Sequence, residues 1–252
     1  MKIKIITLTT DFGELYQAEM KGVILKINPN VKIVDISHSI PRHNINAGAF
    51  ALLCAAKYFP SNTIHLAVVD PEVGTARRGI VIKSASGQYF IGPDNGLLIP
   101  AAKSLGSFRV YEIPTVKDSS PTFHGRDAFA PLAARISKGY DIEKFKLLQD
   151  YKEVNFGEAK VSSKAIEGRI IYIDGFGNAI TNIPGNKVKL KLGDKLTFKG
   201  QLISYARTYA DVKEGEPLLL IGSHGFLEIA AYKASASSIF KLKAGDKVII
   251  KL

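Results

Sequence analysis

The sequence contains no tryptophan, two methionines and one cysteine among its 252 residues. With a single cysteine, the chain can form neither a disulfide framework nor a cysteine-based zinc cluster. Cys54 lies in the apolar segment GAFALLCAAKYF, which predicts that it packs as a small hydrophobic side chain in a helix. Cysteine chemistry therefore does not explain the function of this chain.

The sequence also lacks a long hydrophobic run. No stretch of about eighteen consecutive apolar residues occurs, so no segment has the pattern of a membrane-spanning helix. The first residues, MKIKIITLTTDFG, reach Thr and Asp too early for the hydrophobic region of a signal peptide. With 46% hydrophobic residues the chain can bury one large core or two medium ones, and we expect a folded, cytoplasmic protein.

Acidic residues are in the minority, with 23 Asp and Glu against 34 Lys and Arg and a formal net charge of +11. Such a charge is compatible with nucleic-acid binding. The excess is spread over both halves of the chain, however, and its densest piece, KVKLKLGDKLTFKG, alternates Lys with Val or Leu. That alternation predicts a strand with one solvent-exposed face, so RNA binding is the weakest of the functional alternatives.

Two different patterns divide the chain. The first 150 residues alternate strand-like and helix-like segments such as KIITLTT, LYQAEMKGVILKI and VKIVDIS. Later segments such as EGRIIYIDGFGNAITNI and AGDKVIIKL are short strands separated by Gly, Asn and Asp. We predict an α/β domain with a mostly parallel sheet over residues 1–150, a linker over 151–164, and a smaller all-β domain, a barrel or a sandwich, over 165–252.

Charged residues follow the predicted strands of the first domain, where ligands bind in open α/β sheets. Asp11 follows the first strand, in TTDFG. Asp70 follows the third strand, in VVDPEVGTARRG, with Arg77 seven residues later and Gly74 between them to let the loop fold back. The segment PTFHGRDAFAP places three polar residues at the entrance of a helix: His124, Arg126 and Asp127.

Each of these residues also has a simpler structural explanation. Asp11 could cap the next helix or a turn, and Asp70, which precedes Pro, could simply start a turn with Arg77 or Arg78 as its surface partner. For Asp127 we favour an N-cap of the helix AFAPLAARI over a catalytic role. His38, in DISHSIP, either lines the site or closes a turn. Two further histidines carry no signal beyond their position: His43 and His65.

An acid, a guanidinium and an imidazole at neighbouring strand ends can hold and polarise a water molecule. An arginine near Asp70 would keep that carboxylate ionised, and the carboxylate could orient His124 or accept a hydrogen bond from the water. A metal site built from Asp11, Asp70 and His124 is the alternative chemistry. Its spacing matches no metal motif, and Arg77 and Arg126 would oppose a cation, so we predict no metal.

Seven motifs, in this order, resemble the S-adenosylmethionine hydroxide adenosyltransferases: TTDFG, DISHSIP, VVDPEVGTARRG, GPDNGLL, PTFHGRDAFAP, IDGFGNAITNI and SHGFLEIA. These adenosine-forming S-adenosylmethionine hydrolases are related to the fluorinating and chlorinating enzymes that use the same substrate. In the family an Asp, Arg and His set activates water, and it falls here on Asp70, Arg77 and His124. Halogenating relatives carry other residue types there, so the resemblance implies water as the nucleophile. One departure is Glu72, which stands where glycine is more usual.

The resemblance also implies six substrate-binding residues: Asp11, Asp174, Phe176, Asn178, Ser223 and Glu228. Asp11 would hold the ribose hydroxyls, Phe176 and Asn178 would stack on and hydrogen-bond the adenine, and Asp174 and Ser223 would meet the methionine ammonium. Without the resemblance, the segment DGFGN that contains three of these residues is more simply a hairpin turn.

The activity that the resemblance implies is hydrolysis of S-adenosylmethionine to adenosine and methionine, by attack of activated water on the ribose C5′. It further implies a homotrimer with the sites at subunit interfaces, and neither a metal nor an organic cofactor. The alternative of a different class is a module that binds S-adenosylmethionine or adenosine without turnover.

Overall fold

The computed structural model describes residues 4–117 and 119–252. The chain forms two compact units, of which the first ends at Val154 and the second begins at Asn155. The division of roles between the domains predicted at 1–150 and 165–252, with a linker between them, stays a prediction. Among the helices of the described residues, none is long and apolar enough to cross a membrane.

The first unit alternates strands and helices, as the sequence pattern predicts. Its elements are β1 (Ile5–Thr10), α1 (Glu14–Ile27), β2 (Lys32–Ser37), α2 (Ile45–Ala56), β3 (Ile64–Val68), β4 (Gly79–Ser84), β5 (Tyr89–Pro93), α3 (Ile99–Ser104), β6 (Phe108–Ile113), α4 (Ala130–Ser137) and β7 (Leu147–Leu148). A single π-helical turn, Gly125–Phe129, leads into α4.

These seven strands form one sheet in the order β2-β1-β3-β5-β4-β6-β7. The pairings from β2 to β5 are parallel, and those from β5 to β7 are antiparallel. The prediction of an α/β domain with a mostly parallel sheet is confirmed, with an antiparallel edge added to it. Strand β3 is buried along its whole length, as expected for a parallel strand covered on both faces.

Helices α1 and α4 cover one face of the sheet. Met20 and Ile24 of α1 and Leu132 of α4 belong to one buried cluster with Leu8 of β1 and Leu66 of β3. Helix α2 packs against β1, β2, β3 and α3. It ends at Ala56, and Cys54 is half-buried on it.

The carboxyl ends of the three central parallel strands lie at one edge of the sheet. Asp11 follows β1, Asp70 follows β3 shortly after its end, and Asp94 follows β5. Strands β3 and β5 approach each other closely here, because a Cβ atom on Gly92 would lie 2.2 Å from the carbonyl oxygen of Ala67. This edge therefore gathers three carboxylates from separate stretches of sequence.

The second unit is a β-barrel. Its elements are β8 (Lys160–Val161), β9 (Ala165–Ile173), β10 (Ala179–Pro184), β11 (Lys195–Phe198), β12 (Gln201–Tyr205), β13 (Pro217–Ile221), β14 (Phe226–Ala231), α5 (Ala236–Phe240) and β15 (Lys247–Lys251). Seven strands run in the order β10-β14-β13-β12-β11-β15-β9, and pairing of β9 with β10 closes the barrel. The predicted all-β domain is confirmed, and its architecture is a barrel.

The lysine-rich segment only partly forms the strand that its alternation predicts. Strand β11 begins at Lys195, and the residues before it form a short 3₁₀ turn, Gly185–Lys187, and irregular backbone. Lys189 and Lys191 are nevertheless exposed. Alternation thus predicted exposure correctly but not the hydrogen-bonded ladder, which depends on a neighbouring strand.

Candidate active site

Asp70, Arg77 and His124 lie in direct hydrogen-bond contact, and we call them the arginine cluster. Arg77 Nε donates to Asp70 Oδ1 at 3.0 Å and to Oδ2 at 2.9 Å, and Arg77 Nη2 also donates to Oδ2. Arg77 Nη2 lies 3.0 Å from His124 Nδ1. The side chains of Arg77 and Asp70 are only 3% and 4% exposed. The guanidinium therefore lies between the acid and the imidazole and bridges them.

The loop between β3 and β4 brings Arg77 back to Asp70. Thr75 Oγ1 donates to the Glu72 carbonyl at 2.8 Å and accepts from the Arg77 amide at 3.2 Å, which folds the loop tightly. Gly74 has φ +83°, and a Cβ atom there would lie 2.8 Å from the Pro121 carbonyl oxygen. Glycine at this position therefore lets the loop lie against the segment that leads to His124.

The contact with Arg77 fixes the protonation of His124. A guanidinium only donates hydrogen bonds, so Nδ1 of His124 must accept, and the neutral ring carries its proton on Nε2. Burial, followed by the positive charge of Arg77, lowers the pKa of His124 below its ordinary value and favours this neutral form. The cluster thus presents an N–H donor from His124 and a carboxylate acceptor from Asp70.

Asp11 does not cap the following helix. Helix α1 begins after Gly13, which has φ +71° and no side-chain cap. Asp11 Oδ2 instead accepts a hydrogen bond from the amide of His43 at 2.9 Å, and His43 has the left-handed φ of +64° that non-glycine residues rarely adopt. This hydrogen bond uses Oδ2 and not Oδ1. The same loop borders a groove of about 450 Å³ lined by Arg42, His43, Asn44, Ile45 and Asn46.

Aromatic rings join the segments that carry Asp11 and His124. Phe12 and Phe123 make an edge-to-face contact with ring centroids 5.7 Å apart. Tyr16 contacts both rings in the same manner, at 6.4 and 5.4 Å. Because Phe12 follows Asp11 and Phe123 precedes His124 directly, this contact holds the first strand end beside the arginine cluster.

His38 and His65 have structural contacts. His38 Nδ1 lies 2.8 Å from Thr10 Oγ1, and its Nε2 lies 3.1 Å from Asp35 Oδ1. His65 is fully buried between Thr7 and Gln88, and burial lowers its pKa to about 4. His65 is therefore a neutral core residue.

The expectation that Asp127 is a helix N-cap is wrong. Asp127 lies inside the π-helical turn, and α4 begins after Phe129 without a side-chain cap. Its carboxylate instead pairs with Arg126, at 2.7 Å from Nε, and accepts the Ser120 amide at 2.9 Å. The hydrogen bonds of Arg126 hold the pKa of Asp127 below its usual value. The pair fixes the loop before His124.

In the barrel, the segment DGFGN is the hairpin that connects β9 to β10. Asp174 Oδ1 accepts the amides of Phe176 and Asn178 at 2.9 Å each, and Oδ2 accepts the side-chain amide of Asn178 at 2.9 Å. Asn178 is buried by this contact, whereas Phe176 is 81% exposed at the tip. A Cβ on Gly177 would lie 2.1 Å from Ser235 Oγ, so the turn also lies tightly against the residue that caps α5.

Glu228 is the most perturbed acid of the barrel. It is 5% exposed on β14, and a Cβ on Gly222 would lie 1.7 Å from its Oε1. Tyr209 donates a hydrogen bond to Glu228 Oε2 at 3.3 Å. Burial, together with the nearby charge of Asp174, raises the pKa of Glu228 to about 6 although the tyrosine bond opposes the shift. We call Asp174, Tyr209 and Glu228 the acid cluster.

The register of β10 and β14 separates the two predicted substrate loops of the barrel. Ile180 pairs with Glu228 and Pro184 with Phe226, so DGFGN lies near one end of this strand pair. Ser223 is exposed in the turn between β13 and β14, at the other end. Glu228 lies between the two loops along the strand.

Among the described residues, no group of three or more His, Cys, Asp or Glu side chains is arranged to hold a metal ion. At the site itself, the guanidinium of Arg77 occupies both oxygens of Asp70.

Comparison with known proteins places the chain in a family. Models of the S-adenosylmethionine hydroxide adenosyltransferase N-terminal and C-terminal domains match residues 6–146 and 168–249. The chain belongs to this family. A Methanocaldococcus jannaschii protein named (R)-S-adenosyl-L-methionine hydrolase is 40% identical over 98% of this chain and 96% of its own length.

Two further relatives support this assignment. The crystal structure of an uncharacterized conserved protein from Thermotoga maritima matches with a TM-score of 0.89 at 35% identity, over 97% of this chain and 99% of that one. A protein of Actinoplanes sp. named fluorinase is 29% identical over 98% of this chain and 97% of its own length. The resemblance inferred from seven motifs is thus confirmed for this member of the hydroxide adenosyltransferase family.

Sequence reasoning missed polar residues at both sites of this hydroxide adenosyltransferase. Asp94 and Asn95 follow β5 at the same sheet edge as Asp70, and the strand-end rule that selected Asp70 also applies to them. Tyr209 had no such signal. It lies in a 3₁₀ turn on the crossover between β12 and β13, and the contact with Glu228 forms only when the chain folds.

Proposed function

We propose that this protein hydrolyses S-adenosylmethionine to adenosine and methionine. The oxygen of a water molecule forms a bond to the ribose C5′, the bond from C5′ to sulfur breaks, and the electron pair leaves with methionine as a neutral thioether. One proton of the water is released. The observation that carries the proposal is the arginine cluster, in a chain that belongs to the hydroxide adenosyltransferase family.

Each member of the cluster has a role in this proposal. Asp70 accepts a hydrogen bond from the attacking water and draws its proton away as the new bond forms. His124 donates from Nε2 and orients the oxygen. Arg77 holds both groups in place, since its fork matches a carboxylate in two-point contact. The sulfonium is already a good leaving group, so positioning and desolvating the water is the main task of the protein.

Substrate binding is divided between Asp11 of the first unit and residues of the barrel. Asp11 holds a ribose hydroxyl through Oδ1, the oxygen left over by the His43 amide. Glu228 meets the methionine ammonium together with Asp174 and Ser223, because a buried carboxylate beside a second acid gains most from a cation. Phe176 stacks on the adenine and Asn178 hydrogen-bonds its edge.

Three further features of the proposal rest on the family resemblance: a homotrimer with sites at subunit interfaces, a cytoplasmic location, and a reaction without a metal or an organic cofactor.

The trimer is tested by subunit mixing. Asp70→Ala and Asn178→Ala proteins, each inactive alone, should regain turnover after subunit exchange if one site takes residues from two copies. A fully active monomer in light scattering would contradict the shared site.

The activity itself is tested by separate incubation with the two sulfonium epimers of S-adenosylmethionine. Because the Methanocaldococcus jannaschii relative is named for the R epimer, we expect adenosine and methionine to appear in equal amounts, faster from that epimer. Asp70→Ala protein should give background rates. Tight binding of either epimer without turnover would instead support the non-catalytic binding module.

A further inference from the structure

The motif GPDNGLL has no assigned role, yet two of its residues contact the loop that carries Asp70 and Arg77. Asp94 and Asn95 follow β5 and are 3% and 7% exposed. Strand β5 is the parallel neighbour of β3, from which Asp70 emerges. Two consecutive buried polar residues thus lie beside the end of the strand from which the Asp70 loop begins.

Asn95 holds the start of the loop. Its side-chain amide donates to the carbonyl of Val69 at 2.8 Å, and its Oδ1 accepts the Leu97 amide at 3.2 Å. Val69 is the residue immediately before Asp70. Because the bond is buried, its loss would leave the Val69 carbonyl without this donor and free the backbone on which the Asp70 side chain depends.

Asp94 holds the end of the loop. Its Oδ2 accepts from Arg78 Nε at 3.0 Å and from Nη2 at 2.7 Å, and its own amide donates to the Arg78 carbonyl at 2.9 Å. Arg78 follows Arg77 directly. The acid therefore fixes both the side chain and the backbone of the residue next to the guanidinium donor.

The middle of the loop is tied to the same framework. Asp94 Oδ1 accepts the backbone amide of Lys152 at 2.9 Å, and Lys152 Nζ lies 3.0 Å from Glu72 Oε2. Glu72 is the residue at which this chain departs from the more usual glycine. Its ion pair is solvent-exposed, so we give it a minor part and assign the main effect to the buried contacts.

We infer that Asp94 and Asn95 are positioning residues for the proposed hydrolysis, which clamp the two ends of the loop over residues 70–78 and so set the geometry of the arginine cluster. They act through Val69 and Arg78 and need no contact with substrate. The kinetic consequence of this inference rests on the proposed function. Its structural consequence, an intact contact between Arg77 and His124, is independent of the proposed function.

The kinetic test compares Asn95→Ala with Gln88→Ala. Gln88 precedes β5, is 3% exposed and likewise donates to a backbone carbonyl, that of Phe59, at 2.7 Å. Both variants should lose thermal stability. Only Asn95→Ala should lower kcat, by about 10- to 100-fold, with KM for S-adenosylmethionine within about twofold, because small displacements of reacting groups are costly.

A double-mutant cycle separates positioning from a general loss of packing. In an Arg78→Ala background, adding Asp94→Asn should cause no further loss of kcat, because the effect of Asp94 passes through Arg78. Asp94→Asn alone should behave like Asn95→Ala. Equal kcat in Asn95→Ala and wild type, or a loss from Asp94→Asn that is additive with the loss from Arg78→Ala, would overturn the inference.

A measurement that needs no turnover tests the inference independently of the proposed function. In ¹⁵N NMR of the imidazole nitrogens, His124 of the wild type should show an unprotonated Nδ1 and a protonated Nε2, and Asn95→Ala should lose this preference while Gln88→Ala keeps it. If the wild type did not hydrolyse S-adenosylmethionine, the proposed function would fail and this comparison would still decide the inference. An unchanged His124 spectrum in Asn95→Ala would overturn it.

Discussion

The two clusters differ in how their charges are balanced. In the α/β unit, Asp70 has its own counterion, since Arg77 contacts both carboxylate oxygens. In the barrel, Glu228 lies buried beside another acid, Asp174, and accepts its hydrogen bond from the hydroxyl of Tyr209, which is a neutral donor. The pKa of Glu228 is accordingly raised to about 6.

This difference agrees with the proposed division between chemistry at the arginine cluster and binding at the acid cluster. A carboxylate paired with its own guanidinium is held in one geometry without a ligand, which suits the orientation of a water molecule. An uncompensated buried acid is stabilised when a cation arrives, which suits recognition of an ammonium group. The comparison predicts that substitutions in the arginine cluster change kcat and that substitutions in the acid cluster change affinity.

The largest effect is expected for Asp70→Ala and His124→Ala. Each should lower kcat by about 100-fold or more, with little change in KM, because the lost contacts act on the water in the transition state. Steady-state kinetics of adenosine release measure the effect. Asp141→Ala, which removes an exposed carboxylate of the same unit, is the control and should leave kcat unchanged. A loss confined to KM would reverse the roles given to the two clusters.

The second effect is expected for Glu228→Gln. It keeps an acceptor for the Tyr209 hydroxyl but removes the charge, so affinity for S-adenosylmethionine should fall by about 1.5–3 kcal/mol. Isothermal titration calorimetry on an Asp70→Ala background measures binding without turnover. Glu167→Gln, which changes a half-buried barrel carboxylate paired with Lys247, is the matched control. Equal affinities in Glu228→Gln and its parent would remove Glu228 from the binding site.

The same substitution should also change stability with pH. The pKa of Glu228 is about 6 in the folded chain against an ordinary value of 4.5. Its contribution is therefore fully present below pH 4.5 and lost as the pH rises through 6, by about 2 kcal/mol in total. Urea unfolding at pH 4.5 and 7.5 should show Glu228→Gln gaining about that much relative to wild type between the two values. A pH-independent difference would contradict a buried, uncompensated acid.

The arginine cluster was predictable from sequence because one rule governs it. Strand ends of a parallel sheet meet at one edge, so Asp70 and the loop with Arg77 could be placed together before any contact was known. The structure adds what the rule cannot give: Arg77 lies between Asp70 and His124, so the carboxylate does not orient the imidazole directly. That order depends on the path of the loop around Gly74.

The acid cluster was less predictable because its members meet only in the folded barrel. Glu228 was selected only through the family resemblance, and Tyr209, nineteen residues earlier, was not selected at all. The local sequence pattern likewise predicted Asp127 as a helix N-cap, but its carboxylate instead binds the neighbouring Arg126 and the Ser120 amide. In each of these cases the role was decided by a contact that forms only in the folded chain.

A smaller effect is expected for Asp11→Asn. One carboxylate oxygen already accepts the His43 amide, and an asparagine oxygen can keep that bond. The loss therefore concerns one charge-assisted bond to the ribose and should weaken adenosine binding by about 1–2 kcal/mol. Calorimetry with adenosine and with 2′,3′-dideoxyadenosine checks the role. Equal affinity of the wild type for both nucleosides would refute it.

The smallest effect is expected in the acid limb of the pH profile. Because burial and Arg77 lower the pKa of His124, its Nδ1 stays unprotonated as the pH falls below 6.5, and kcat should be retained there. KM should rise as the pH falls through about 6, where Glu228 takes up a proton. Glu228→Gln should abolish the rise in KM and leave the kcat profile unchanged. A kcat that halves at pH 6.5 or above would contradict a neutral His124 held by Arg77.

The fate of the water oxygen tests most directly whether water attacks the ribose C5′. Wild-type protein is incubated with (R)-S-adenosylmethionine in ¹⁸O-labelled water, and the products are analysed by mass spectrometry. We expect adenosine that carries one ¹⁸O atom at its 5′ oxygen, with unlabelled methionine in equal amount, and far slower formation of labelled adenosine with Asp70→Ala. Release of 5′-methylthioadenosine with the label in the amino-acid fragment, or of a 5′-halogenated nucleoside without label, would contradict attack of water at C5′.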